Sequence, residues 1–183
     1  MSKVIILGGN ARSGKSTLSF ELVKHGYSRI SFDNLYSVLE ESFNINMDEI
    51  EDKIKFNLFE NIVNKSLEEA KNENTNIVID MYDFLPKDIN KLKRKNEVEV
   101  YFLAYPNCTE AEIKYNVKHY AKPTDWIAQV DEDYLASCAT RFYERNKMLI
   151  EECNKYNMTL INTGSGEERS KSLQELLNKI INN

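Results

Sequence analysis

Gly9-Asn10-Ala11-Arg12-Ser13-Gly14-Lys15-Ser16 carries two glycines, a lysine and a hydroxyl at the spacing GxxxxGK[ST]. Each residue type has a physical task there. The glycines let the backbone turn tightly with its N–H groups aimed inward, and a helix opening at the lysine adds the positive end of its dipole. Lys15 is placed to reach the β- and γ-phosphates, and the Ser16 hydroxyl to ligate Mg²⁺. Arg12, inside the loop, is placed to touch phosphate. Residues Gly9, Asn10, Ala11, Arg12, Ser13, Gly14, Lys15, Ser16 and Thr17 are therefore expected to hold a nucleoside triphosphate, read as ATP with Mg²⁺.

Phosphoryl transfer needs carboxylate near the metal and a group that orients or deprotonates the attacking hydroxyl. Two aspartates stand just past strand-like runs, where the chemistry of a parallel sheet gathers. Asp33 follows Ser28-Arg29-Ile30-Ser31-Phe32 and is assigned to the acceptor; Asp80 follows Asn76-Ile77-Val78-Ile79 and is assigned to the metal through bound water. The two roles can be exchanged. Each also has a structural alternative: Asp33 or Asn34 as a helix cap, Asp80 as a turn carboxylate.

Arg141 and Arg145 are four apart in a helix-like stretch, hence on one face, where planar donors can meet charge developing on a transferred phosphoryl group. Pairing with Glu144, Glu151 or Glu152 is the surface alternative. Lys114, Lys118 and Lys122 share another face, facing either an anionic acceptor or water. His119 has no ligand partner in sequence and is not read as a metal ligand. Tyr36 and Phe43 either stack on an acceptor ring or fill core. Trp126, after Pro123-Thr124-Asp125, marks a turn.

These residues need a scaffold, and the hydrophobic pattern supplies one. Val4-Ile5-Ile6-Leu7 reads as a buried strand, and residues 17–24 as a helix with Leu18, Leu22 and Val23 on one face. Further strands are predicted at 28–32, 76–79, 98–103 and 158–161. Helices are predicted at 34–42, 47–71 (apolar at Ile50, Ile54, Leu58, Ile62 and Ala70), 107–120, 131–156 and 166–181, with the basic run 87–95 on a solvated surface helix. The alternation predicts an α/β fold in which a five-stranded parallel sheet carries helices on both faces, three layers in all.

The 183 residues, 42% hydrophobic, suit one domain spanning 1–183. No apolar run approaches a membrane span and no leader pattern is visible, so a cytoplasmic protein without membrane contact is expected. Cys108, Cys138 and Cys153 form no metal or disulfide spacing. A formal charge of −5 disfavours nucleic acid as a partner.

On the loop Gly9 to Thr17, with weaker support at Ile30-Ser31-Phe32-Asp33, the chain resembles the P-loop kinases of small molecules, the superfamily of adenylate kinase, shikimate kinase and polynucleotide 5′-kinase domains. The resemblance implies a P-loop NTPase fold with a helical lid, an acceptor-binding segment near 34–61, a lid near 108–137, and an adenine-side loop at Asn162-Thr163-Gly164-Ser165-Gly166, which reads equally as a plain strand-to-helix turn. Ile79-Asp80-Met81-Tyr82-Asp83-Phe84-Leu85-Pro86 lacks the glycine and arginine of the DGFPR segment of adenylate kinases. The loop is also not of the GxPGxGKGT form, so a dedicated adenylate kinase is disfavoured. Asn90-Lys91-Leu92-Lys93 ends in lysine where a guanine-specific NKxD segment has aspartate. The implied activity is transfer of the γ-phosphoryl group of Mg-ATP to a small hydroxyl- or phosphate-bearing acceptor. An ATP-binding switch or ATPase, and a 5′-hydroxyl polynucleotide kinase, remain as alternatives; the oligomeric state is undetermined.

Overall fold

Every β-branched run becomes a strand: β1 (Val4–Gly9), β2 (Tyr27–Ser31), β3 (Asn76–Asp80), β4 (Glu99–Ala104) and β5 (Thr159–Asn162). In this computed structural model, which describes residues 2–121, 123, 125–164 and 166–182 and only the backbone of Trp126, they form one parallel sheet in the order β2-β3-β1-β4-β5. Among the described residues there are seven helices: α1 (Lys15–Lys24), α2 (Phe32–Phe43), α3 (Asp52–Glu73), α4 (Pro86–Ile89), α5 (Glu110–His119), α6 (Glu132–Tyr156) and α7 (Gly166–Asn182). The α/β class and the parallel sheet agree with the sequence reading. No helix among the described residues is long and apolar enough to cross a membrane. Lys122, Thr124 and Ser165, and the side chain of Trp126, lie outside the described residues.

The chain divides into two compact units, described in turn. The first comprises residues 2–8 and 15–101. In it β1 pairs with β3 and β3 with β2, with Leu7 opposite Asp80 and Asp80 opposite Ser31. That row brings the carboxyl ends of three strands level. Val4 to Leu7 and Ile77 to Ile79 are 0–2% exposed, which is why these strands are apolar on both faces. Beside them Phe59 stacks on Phe84 at 4.3 Å and Phe32 meets both edge-on at 5.4 and 5.9 Å, a cluster that fixes α2 and α3.

Several local expectations are corrected here. The helix foreseen at 47–71 is a 3-10 turn at Met47–Glu49 followed by α3, because Ile50 and Glu51 are extended (ψ 134° and 135°). Its buried face is Phe59, Val63, Ser66, Leu67 and Ala70. That is one residue, about 100°, round from the stripe through Ile54, which is 54% exposed. Val23 on α1 is likewise exposed while Leu18 and Leu22 are buried. The 87–95 run is the short α4 and a turn whose Ile89 and Leu92 are buried.

The second unit comprises residues 9–14 and 102–182. Its core joins Tyr105, Ile113, Val117, Ile127, Leu135, Cys138, Ala139 and Phe142, with Ala11 packed against it. Thr109 opens α5 as a capping box with Glu112, and Asp131 caps α6 by accepting from the Tyr134 amide at 2.7 Å.

Candidate phosphate-transfer site

Backbone geometry decides the glycine loop. Gly9, Arg12 and Gly14 all have positive φ (130°, 60° and 96°). A Cβ at Gly9 would fall 2.0 Å from the Leu103 carbonyl oxygen, so no other residue fits there. The loop is tied down from within its own unit. The Asn10 amide donates to the Leu103 carbonyl at 2.9 Å, and the Asn10 side chain donates to the Phe142 carbonyl (2.6 Å) and to Asn146 Oδ1 (2.9 Å). Asn146, 2% exposed, also accepts from the Tyr105 amide, whereas the Tyr105 hydroxyl donates to the Ala11 carbonyl at 2.8 Å. Asn146 is one residue that sequence reasoning missed. An Asn falling within the apolar stripe of a long amphipathic pattern was the available signal.

This anchoring revises the loop. Asn10 and Ser13 are 0% exposed, their side chains turned into protein. The Ala11 amide donates to Asn10 Oδ1 (2.9 Å) and the Ser13 amide to the Asn10 carbonyl (3.4 Å), so these two amides are engaged before any anion arrives. Arg12, expected at phosphate, donates instead to Asp125 Oδ2 at 2.7 Å and to the Tyr120 carbonyl at 3.0 Å.

In the first unit the loop's continuation opens α1. Lys15 is 6% exposed in the first turn of that helix, its Nζ 5.6 Å from the Tyr82 ring centroid. A buried ammonium at the positive end of a helix dipole is an arrangement that favours a bound anion. Ser16 and Thr17 are exposed. Asp80, at the end of β3 and 4% exposed, accepts from Arg29 Nη2 at 2.8 Å and lies 3.1 Å from the Ser19 hydroxyl, which Arg29 Nε reaches at 2.7 Å. Arg29 was not foreseen as a site residue. Its partner is 51 positions away and only the β2–β3 register joins them.

Asp33 lies in the first turn of α2, not at its cap: Ser31 takes the cap, accepting from the Asn34 amide at 3.4 Å. The carboxylate keeps access to solvent but stands in a recess dense in protein atoms. Burial pushes its pKa above the ordinary carboxylate value; Lys15 draws it back, Asp80 raises it further and Arg29 lowers it. Asp33, Lys15, Asp80 and Arg29 thus share one electrostatic neighbourhood. The Tyr36 hydroxyl, one helical turn on, is buried with no hydrogen-bond partner. Burial pushes this phenol far up, and Asp83 and then Asp33 push it further.

The arginines stand in the second unit, in the middle of α6 and beyond the 108–137 boundary. Arg141 donates to Cys138 Sγ at 3.2 Å with its guanidinium 5.9 Å from the Phe142 ring, and Arg145 adjoins Asn146. Glu144, offered as their surface partner, is joined to Lys147 at 2.8 Å. Lys114 and Lys118 both close on Glu132 of α6, so two ammonium groups of α5 share one carboxylate. His119 stacks on Tyr115 at 5.1 Å, and Phe43 is 68% exposed. In the loop after β5, Thr163 is held by the Ala104 carbonyl (2.7 and 2.9 Å) and Gly164 accepts from Arg169 at 3.4 Å. The void beside Arg169 and Arg12 measures about 10 Å³, room for one water.

The residues present suit Mg-ATP. The Ser16 hydroxyl and the Asp80 carboxylate are hard oxygen donors, and Mg²⁺ bound with a nucleotide takes its other ligands from phosphates and water. Among the described residues no three His, Cys, Asp or Glu gather as a metal cage.

No protein-family model and no curated protein matches the chain. Solved structures do. A shikimate kinase from Bacteroides thetaiotaomicron is 19% identical with a TM-score of 0.59, covering 99% of both chains. A gluconokinase from Sinorhizobium meliloti 1021 is 14% identical with a TM-score of 0.56, covering 98% of this chain and 95% of its own. A dephospho-CoA kinase from Campylobacter jejuni is 13% identical with a TM-score of 0.54, covering 100% and 98%. The fold is that of the P-loop small-molecule kinases.

Proposed function

We propose that the protein is a kinase that transfers the γ-phosphoryl group of Mg-ATP to a hydroxyl of a small acceptor. The observation that carries this reading is the grouping of buried Lys15 with Asp33 and Asp80 at the level carboxyl ends of β1, β2 and β3, directly after a glycine loop. Lys15 and the loop amides hold the phosphates. Ser16 directly and Asp80 through bound water would hold Mg²⁺, which would draw charge from the phosphate oxygens. Arg29 sets the orientation of Asp80 by occupying its Oδ2. Asp33 orients the acceptor hydroxyl and takes its proton as the oxygen attacks; a carboxylate there also repels an anionic reacting group, which favours hydroxyl over phosphate at that position. Arg141 and Arg145 are assigned to the charge of the transferred group, and the segment 108–137 to closure that keeps water out. The single-domain organisation and a cytoplasmic setting, where ATP is supplied, complete the reading.

The experiment is a screen of hydroxylated metabolites for acceptor-dependent ADP release, run beside Lys15→Ala. Wild-type protein should release ADP with a restricted set of acceptors, and Lys15→Ala should lose turnover at least a thousandfold while remaining folded by circular dichroism. ATP binding without any acceptor-dependent release would instead establish an ATP-binding switch. Full activity in Lys15→Ala would remove the site altogether.

A further inference from the structure

Arg169, early in α7 of the second unit, carries a charge that its surroundings leave unmatched. Its Nε is buried with no hydrogen-bond partner, and its Nη2 donates to the Gly164 carbonyl at 3.4 Å. Burial holds its pKa below the ordinary guanidinium value; the other groups that act on it are Tyr105, Arg12, Tyr120 and Cys108, none of them a carboxylate. Arg12 differs in this respect, because its guanidinium is paired with Asp125 at 2.7 Å. Of the two cations, one has its counter-charge and the other does not. A guanidinium withdrawn from water without an anion is costly, since it keeps its proton at any ordinary pH.

Both arginines line one void of about 10 Å³, room for a single water-sized particle. Asn116 of α5 lines it too, with its side-chain amide unengaged among the described residues. Ile113 and Val117, 1% and 3% exposed, close the apolar side. Tyr105 completes the wall, its hydroxyl already donating to the Ala11 carbonyl. The described lining thus offers N–H donors from two guanidinium groups and one amide, and it contains no carboxylate. The Arg12 side chain is 28% exposed, which gives this wall an edge on solvent.

We propose that this void is a site for one monovalent, monoatomic anion, a halide such as chloride, held by Arg169 and the Asn116 amide in the field of Arg12. Charge sets the valence: one guanidinium lacks a counter-ion, so one negative charge completes the set. Volume sets the species. A water-sized void excludes sulfate, phosphate and carboxylates, whereas a halide is little larger than water. Water also fits, but it brings no counter-charge. The ion joins α5, α7 and the glycine loop within one unit, so its binding stabilises that unit through linkage. None of Lys15, Asp33 and Asp80 takes part, and the site stands whether or not the protein transfers phosphate.

The test replaces sodium gluconate by sodium chloride, bromide or sulfate at a constant ionic strength of about 0.15 M, following amide shifts of isotope-labelled protein and its thermal midpoint. Chloride and bromide should shift Asn116, Val117, Gly164 and Arg169 saturably and raise the midpoint; sulfate should do neither. Arg169→Gln should weaken the halide response at least tenfold. Asn116→Asp sets a carboxylate at the void, and it should remove the halide response while matching, in gluconate alone, the midpoint of wild type in chloride. This second variant decides the matter if Arg169→Gln does not fold. Equal shifts with sulfate would reveal general screening, and no saturable shift with either halide would reveal a void that holds water alone. Either result, or an undiminished halide response in a folded variant, would overturn the assignment.

Discussion

In the proposed transfer, Asp33 would link catalysis to stability through one side chain. Its pKa is raised, chiefly by burial, so the carboxylate becomes a proton acceptor only above the ordinary value of 3.8. Transfer should therefore rise with pH along an acidic limb displaced upward from that value, and Asp33→Asn should lose the limb together with most of the turnover while retaining ATP. The stability effect has the opposite sign. The folded protein binds this proton more tightly than the unfolded chain, so the contribution is full below about 3.8 and is lost as pH rises through the folded pKa. Urea midpoints measured across that interval should fall with pH less steeply in Asp33→Asn than in wild type. A variant whose stability and rate profiles both superimpose on wild type would show that Asp33 is only a surface residue of α2.

Among the elements, α6 carries the most structural responsibility for the loop. Its apolar stripe through Leu135, Cys138, Phe142, Leu149 and Cys153 is interrupted by Asn146 at a fully packed position. That amide replaces burial energy with hydrogen bonds to Asn10 and to both backbone groups of Tyr105. Asn146→Ala leaves those groups without a partner, so unfolding free energy should drop by about 2 kcal/mol with an unchanged denaturant slope. The Michaelis constant for ATP should rise with it, because the loop loses its brace. The helix itself was legible from periodicity, whereas the role of Asn146 was not: a polar residue in an apolar stripe has no visible partner until the fold brings residue 10 beside it. The same holds for α3, where Ile54, Leu58 and Ile62 have the spacing of a core face but the aromatic cluster of Phe32, Phe59 and Phe84 turns the helix by one residue.

For the molecule as a whole, the legible part was what neighbouring residues determine. The strands announced themselves as β-branched runs, the tight loop as glycines at fixed offsets, and the positions of Asp33 and Asp80 by following two of those runs. Contacts between distant segments were the illegible part. Arg29 meets Asp80 through strand register, Lys114 and Lys118 meet Glu132 through helix packing, and the void beside Arg169 is assembled from the glycine loop, α5 and α7, whose members look unrelated in sequence.

Arg12 carries a consequence of its own. It is a non-glycine residue at φ 60°, a conformation that costs about 1 kcal/mol, and its guanidinium bridges to Asp125 and Tyr120. Under the proposed function, an anion in the loop would compete with the Asp125 carboxylate for this cation, so occupancy of one and docking of the other would be reciprocally linked. Raising ionic strength should then quicken amide hydrogen exchange at Tyr120 and Ala121 well before global unfolding, and Arg12→Gly should abolish that sensitivity to salt.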